Sequence, residues 1–412
     1  MAPSAPSLGV TADGFMPVTR GRRPQPVPEP AVAQPAPTIR TPALARLSGA
    51  PKTTRGLQFV SSPLGAVSEV EPQAIATTYW FTAPAGPKPY QVAVRFTGHR
   101  LDVAGARTEA DDFQVETRLD TVQPSSGPIS LTQRITGKRA GTWKVTADAV
   151  AAIPGAEASN VLRLPSVEGV GRSTFAPVAM TLGPGVVPGS WPAMVLLGFG
   201  LALAVVGALT GVHGLATGRV LLLALAAGVL GLVGAKVYYW LTHPHEKRTA
   251  SLTGLSLQGF VITVLTVFAL GGWALGVRVG HLLDASIPAL LVGQAVGRLG
   301  CLFAGCCSGL PNASRWAIWS SDRRVGTRRI PVQLVESFGA ALVALVTGLV
   351  AWRTPPQPAG FLFLSGLAAY VLVRQILFPL RGLPRATKHG RTVMLVIAPA
   401  VLASAIAVLA LS

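Results

Sequence analysis

The sequence is short of charge. Only 13% of its residues are Asp, Glu, Lys or Arg, where a typical soluble domain carries about 25%. That excludes an ordinary soluble enzyme and points to an integral membrane protein. Acid is scarcer than base, and the net charge is +18. Cysteine is nearly absent: three residues, all between Cys301 and Cys307. Three clustered thiols exclude a disulfide framework. No His or Asp lies beside them in sequence to complete a four-ligand zinc site. Neither a metal nor a cofactor is expected, and the cysteines read as small polarizable residues packed between helices. The amino terminus lacks the apolar stretch that a cleavable signal peptide needs. The charge reads either as attraction to anionic partners or as the loop bias of a membrane protein with an arginine-rich composition; nothing resembles a nucleic-acid module, so an anionic partner would be phospholipid and not nucleic acid.

What is present divides in two. Residues 1 to about 55 are rich in Pro, Ala and Arg and read as a disordered segment. Residues 56–152 alternate with a period of two, as in Tyr90, Val92, Val94 and Phe96, then Phe113 and Val115, then Trp143, Val145 and Ala147. Turn signals separate the runs, including Pro84-Ala85-Gly86-Pro87 and Ser125-Ser126-Gly127-Pro128. This predicts a small all-β domain, an immunoglobulin-like sandwich. Residues 153–190, with many Gly and Pro, read as a linker. From Trp191 to residue 412 the chain reads as a polytopic all-α membrane domain. Its apolar runs fall near 191–211, 220–241, 257–276, 284–305, 334–352, 360–380 and 393–411, about seven transmembrane helices long enough for a core of ~30 Å.

Polar side chains interrupt these runs. They are Lys236, Gln258, Asp284, Gln294, Arg298, Glu336 and Arg374. A charged group within a span costs roughly 2.5–3.5 kcal/mol on insertion scales and marks a functional site by default. The stretch Gly297–Gly309 adds glycines that admit close approach. It reads as the floor of a polar pocket opening at one membrane face. The loop from about 306 to 333 interleaves Arg315, Arg323, Arg324, Arg328 and Arg329 with Trp316 and Trp319. That mixture suits an interface with anionic headgroups.

In the membrane half the motifs resemble those of bacterial prolipoprotein diacylglyceryl transferases. Gly234-Ala235-Lys236-Val237-Tyr238-Tyr239 is similar to the family's Gly-Gly-Arg-Ile-Gly-Tyr. Leu255-Ser256-Leu257-Gln258-Gly259-Phe260 is similar to its Phe-Ser-Phe-His-Gly-Gly. Gly297-Arg298-Leu299-Gly300-Cys301 is similar to its Gly-Arg-Ile-Gly-Asn, and Gly309 matches the glycine that closes that signature. Arg329-Ile330-Pro331-Val332-Gln333-Leu334-Val335-Glu336 is similar to its Arg-His-Pro-Ser-Gln-Leu-Tyr-Glu. Arg374 and Arg381 match a further pair. The departures are Gln258 for histidine, Cys301 for asparagine, Val335 for tyrosine and Phe378 for glutamate.

The resemblance implies transfer of diacylglyceryl from phosphatidylglycerol to the thiol of a prolipoprotein cysteine, releasing glycerol phosphate, at the bacterial inner membrane. It implies catalytic roles for Arg298, Arg329, Glu336 and Gln258. It implies substrate contacts from Arg298, Lys236, Gly309, Gln333, Arg374 and Cys301. Guanidinium forks suit phosphate oxygens and a leaving charge. Gln258 cannot take a proton, which leaves Glu336 or Lys236 as the candidate base. The alternative is a non-enzymatic phospholipid-binding protein whose β domain binds a protein partner. A transporter is disfavoured, since no internal repeat is visible. The family orientation puts the amino terminus and the signature loop outside. Lys and Arg concentrate in the loops on the signature side, which by the charge rule would be cytoplasmic. Arginines that bind headgroups produce the same bias, so the family orientation is the expected one.

Overall fold

The computed structural model describes residues 57–60, 70–152, 161–244, 255–353, 357–382 and 389–412. The expected amino-terminal disordered segment lies outside these residues. The β region begins with β1 (Gln58–Phe59), β2 (Gln73–Thr82), β3 (Tyr90–Arg100), β4 (Asp112–Val122), β5 (Pro128–Thr136) and β6 (Thr142–Ala152). Two antiparallel sheets face each other. Their inner rows of Tyr79, Phe81, Val92, Phe96, Leu131, Trp143 and Val145 form one apolar core. The alternation seen in sequence is the in-and-out alternation of strands in a sandwich.

The expected linker is partly strand. After β6 come β7 (Leu162–Arg163), β8 (Val167–Arg172) and β9 (Thr174–Phe175), then the short helix α1 (Ala176–Thr181). Strands β7 and β8 pair with β6, and β9 pairs with β2. Glycine content hid these strands. Gly171 gives room to the ring of Phe59, whose carbons would lie 2.2 Å from a β-carbon there. Helix α1 explains why β2 is buried on both faces. Ala176 and Ala179 pack on Ala74 and Ala76, on the side away from the sandwich core.

The membrane half has α2 (Ser190–Val212), α3 (Thr217–Thr242), α4 (Leu257–Ala274), α5 (Val279–Phe303), α6 (Val332–Arg353), α7 (Phe361–Leu377) and α8 (Gly390–Leu411). Among the described residues six of these are long and apolar enough to cross a membrane, and α4 is the shorter apolar helix. Their outer faces expose Leu222, Leu270, Phe338 and Val396, as a lipid-facing surface must. Helices α2 and α5 approach through glycine: a β-carbon at Gly198 would stand 2.9 Å from the carbonyl of Gly293. Small residues allow such contacts where the hydrophobic effect does not drive helix association. Asp284, wholly buried, accepts the backbone N–H groups of Gly360 (2.7 Å) and Phe363 (2.8 Å). It is a buried N-terminal cap for α7.

The two halves share a sheet. The α5–α6 connection folds into a hairpin, β10 (Ile318–Ser321) and β11 (Val325–Arg329). Strand β11 pairs antiparallel with β5, Val325 opposite Leu131 and Gly326 opposite Ser130. One sheet therefore runs β1-β2-β5-β11-β10. Trp319 is buried in this seam, stacked on Trp80 at 5.8 Å, and donates to the Pro128 carbonyl at 3.0 Å. The expectation that Trp319 meets headgroups is corrected: its indole has a protein partner at both its face and its N–H. Trp316 stays 73% exposed, with the Arg315 guanidinium 5.1 Å from its ring. Arg134 ties the seam further, donating to the carbonyls of Ala179, Leu182 and Arg323.

Candidate active site

Four segments meet where α5 ends, α6 begins and α7 ends. Leu310 N donates to the Leu380 carbonyl (2.9 Å) and Ile330 N to the Leu310 carbonyl (3.1 Å). Gly309 bridges to Arg381 and Pro311 to Arg329. The strand-like segment after α5 is thus clasped between the end of β11 and the end of α7. Gly309 must be glycine here. A β-carbon would fall 2.2 Å from the Ile330 carbonyl oxygen, far inside van der Waals contact.

Glu336, on the first turns of α6, is the centre. It is 1% exposed. Arg298 Nε, from α5, lies 3.1 Å from its Oε2. Arg374 Nη1, from α7, lies 3.3 Å from Oε1. Tyr370 donates its hydroxyl to Oε1 at 2.9 Å. Arg381 donates to Oε2. Three guanidiniums around one carboxylate leave two positive charges in excess in a largely dry site. The Nε atoms of Arg298, Arg329 and Arg381 are buried without a hydrogen bond, although Arg298 Nε has the Glu336 carboxylate at 3.1 Å. A buried excess of positive charge at low dielectric is costly unless an anion meets it. Arg374, 28% exposed against 8% for Arg298 and 2% for Arg381, is the open edge of the cluster.

The other expected site residues have different partners. Arg329 is buried, but its terminal nitrogens are taken by Asp322 (2.6 Å), the Gly309 carbonyl (3.1 Å) and the Val325 carbonyl (3.2 Å). Burial pushes its guanidinium below its ordinary pKa, and the Asp322 carboxylate opposes this. It clamps the loop. Gln333 is buried and donates to the Cys306 carbonyl at 3.0 Å. Gln258 is exposed at the start of α4, where it accepts from Ser256 at 2.9 Å. The expectation that it shares the buried pocket is corrected. An amide side chain gains its hydrogen bonds as well from a neighbouring hydroxyl and water. Lys236 lies 6.0 Å from the Tyr239 ring centroid and 5.6 Å from that of Trp240. Cys301 is buried and converges with Cys306 and Cys307: the three sulfurs all lie within 4.8 Å of one another.

Two members of the cluster carried no assigned role in the sequence reading. Arg381 was placed by motif spacing alone. Tyr370 stands in an apolar run, and its only signal is its position four residues before Arg374, on the same helix face.

The model of the prolipoprotein diacylglyceryl transferase family matches residues 177–411. Curated relatives named phosphatidylglycerol–prolipoprotein diacylglyceryl transferase give similar matches. One from Dehalococcoides mccartyi is 28% identical over 188 residues, 42% of this chain and 69% of the relative. Another strain's protein is 32% identical over 101 residues, 24% of this chain and 38% of the relative. The Leifsonia xyli protein is 33% identical over 140 residues, 30% of this chain and 41% of the relative. The matches thus span between 38% and 69% of these relatives' lengths. The family match covers more than half of the chain and contains Arg298, Glu336, Arg374 and Arg381, so the chain belongs to the prolipoprotein diacylglyceryl transferase family.

Proposed function

We propose that this protein transfers the diacylglyceryl group of phosphatidylglycerol to the cysteine thiol of a prolipoprotein, in a bacterial plasma membrane. The observation that supports this most directly is the buried excess of guanidinium over carboxylate at Glu336. A phosphodiester carries the anion that this excess requires. Glu336 holds the three guanidiniums in fixed orientations, so their remaining N–H groups are directed before substrate arrives. During transfer the thiol gives up its proton to water, and its sulfur attacks the glyceryl carbon bonded to phosphate oxygen. The carbon–oxygen bond breaks, and its electron pair leaves with glycerol phosphate. Charge on that leaving group grows in the transition state, where Arg298, Arg374 and Arg381 stabilise it. Arg329 and Gln333 act as positioning residues by holding the segment Cys306–Gly309.

A second reading is a phospholipid-binding protein without turnover, favoured by the exposed Gln258 where relatives carry a histidine. The test is a transfer assay: membranes containing the protein, a lipobox peptide and labelled phosphatidylglycerol. Thioether-linked diacylglycerol is the expected product, and Arg298→Ala lowers its rate by about 10²–10³, the loss typical of removing one transition-state donor. Lipid binding with no product from folded protein would favour the second reading.

A further inference from the structure

The three cysteines have no role in the cluster around Glu336, yet the chain is shaped to bring them together. Cys301 is on the last turns of α5, three residues after Arg298, so the two side chains adjoin on one helix face. Gly305 then turns the chain at φ +65°. A β-carbon there would stand 3.0 Å from the Ser321 carbonyl. Cys306 N returns to the Cys301 carbonyl at 3.0 Å. Cys307 follows in the left-handed region at φ +54°, a conformation that costs about 1–2 kcal/mol in a residue with a β-carbon. The result is three sulfurs mutually within 4.8 Å. Sulfurs sharing one tetrahedral zinc, with Zn–S of about 2.3 Å, would lie ~3.8 Å apart, within reach of small rotamer changes. Among the described residues no fourth His, Asp, Glu or Cys joins the group.

We propose that Cys301, Cys306 and Cys307 hold one zinc ion through three thiolates, and that the open fourth position receives the acceptor thiol. The proposal rests on the transferase reading, and it supplies what that reading lacks. An acceptor thiol must lose its proton to attack carbon. In this chain Gln258 stands exposed where relatives carry a histidine, and the Glu336 carboxylate is occupied by three guanidiniums and a phenol. Coordination to zinc deprotonates a thiol outright and releases the proton to water. Structural zinc sites are closed by four protein ligands, whereas three ligands with an open position are the catalytic pattern.

The reaction balances without a redox partner. The acceptor thiol gives up its proton on coordination. Its sulfur pair forms the bond to the glyceryl carbon, and the carbon–oxygen bond breaks towards phosphate. The thioether product is a weaker zinc donor than a thiolate and leaves. Before the acceptor binds, zinc with three thiolates carries −1 and the phosphodiester −1, against the excess of +2 at Glu336. The site lies one helical turn from Arg298, so the sulfur nucleophile and the phosphate would be neighbours.

The test uses the full-length protein in lipid nanodiscs, loaded with Zn²⁺ or with Co²⁺ as a spectroscopic substitute. Expected is about one zinc per chain and a thiolate-to-cobalt charge-transfer band. Addition of a lipobox peptide shifts the cobalt bands, and its Cys→Ser counterpart does not. Cys307→Ser weakens zinc binding by more than about 100-fold, beyond the loss from removing an outer-shell partner. Folded protein that takes up no zinc and gives no charge-transfer band overturns the proposal. So does a Cys301→Ser/Cys306→Ser/Cys307→Ser variant that transfers lipid at the parent rate, an outcome that leaves the transferase reading standing. Zinc bound with the peptide-dependent shift, but no lipid transferred, supports the site and counts against the transferase reading.

Discussion

Glu336 carries more of the site than its single charge suggests. Its two oxygens meet Arg298, Arg374, Arg381 and Tyr370, so its removal leaves three guanidiniums mutually repelling in a buried space. Breaking a buried pair by deleting one partner costs about 3–5 kcal/mol. Glu336→Gln should therefore lower the thermal unfolding midpoint in micelles and abolish transfer together. Arg374→Ala should be milder on stability, because its side chain is 28% exposed and water replaces part of what is lost. If Glu336→Gln unfolds at the parent temperature, the carboxylate is not holding the guanidiniums in place. Gly309→Ala is the matching steric test. Its β-carbon must displace the Ile330 carbonyl from 2.2 Å, and Arg381 bridges to the same residue. The variant should lose transfer while still inserting in the membrane, which is checked by assaying equal amounts of monodisperse protein.

At the scale of elements, the β10–β11 hairpin decides how the two halves relate. It leaves α5, adds to the β sandwich at β5, and ends at Arg329, which clamps Gly309. The β domain therefore braces the loop that closes the site. Trp319 is the test of this brace. Trp319→Ala removes the stack on Trp80 and the indole donor to Pro128. Truncating a buried Trp costs about 3–5 kcal/mol. The hairpin amides of residues 318–329 should exchange faster with deuterium, and transfer should fall even though Trp319 touches no member of the Glu336 cluster. Unchanged exchange in the hairpin would separate the β domain from the site. None of this pairing is readable in sequence, because β5 and β11 are nearly two hundred residues apart and the segment holding β11 reads as a loop between helices.

At the scale of the whole molecule, the shared sheet fixes relative topology. Strand β11 pairs with β5, so the β domain and the α5–α6 loop occupy one side of the membrane. With the shorter α4 counted as a crossing, the four helices α2 to α5 return the chain to that side. The α5–α6 loop, with Arg315, Arg323, Arg324, Arg328 and Arg329, is therefore on the β-domain side, beside the proposed site. Single introduced cysteines check this with an impermeant maleimide in intact cells. Val170→Cys, at 59% exposure, and Trp316→Cys, at 73%, should label alike, and Gly218→Cys, in the first turn of α3, should label oppositely. Labelling of Val170→Cys and Trp316→Cys on opposite sides would contradict the shared sheet.

The membrane class and the helices were legible in sequence, as were Arg298, Glu336 and Arg374 as charged groups inside them. Apolar length and a charged group inside an apolar run are local properties, and each has one physical explanation in a bilayer. The sandwich was legible too, because alternation is local. The sequence did not separate Arg298 from Arg329. Both follow motif fragments, and only the fold shows one facing Glu336 and the other consumed by Asp322 and Gly309. Nor did it reveal Tyr370, the strands of residues 162–175, the place of Trp319, or the three sulfurs as one group. Those depend on contacts between distant segments, and hydrophobic pattern carries no information about which distant partner a polar side chain will find. Local composition determined what each segment is. Tertiary structure decided which charges share a site.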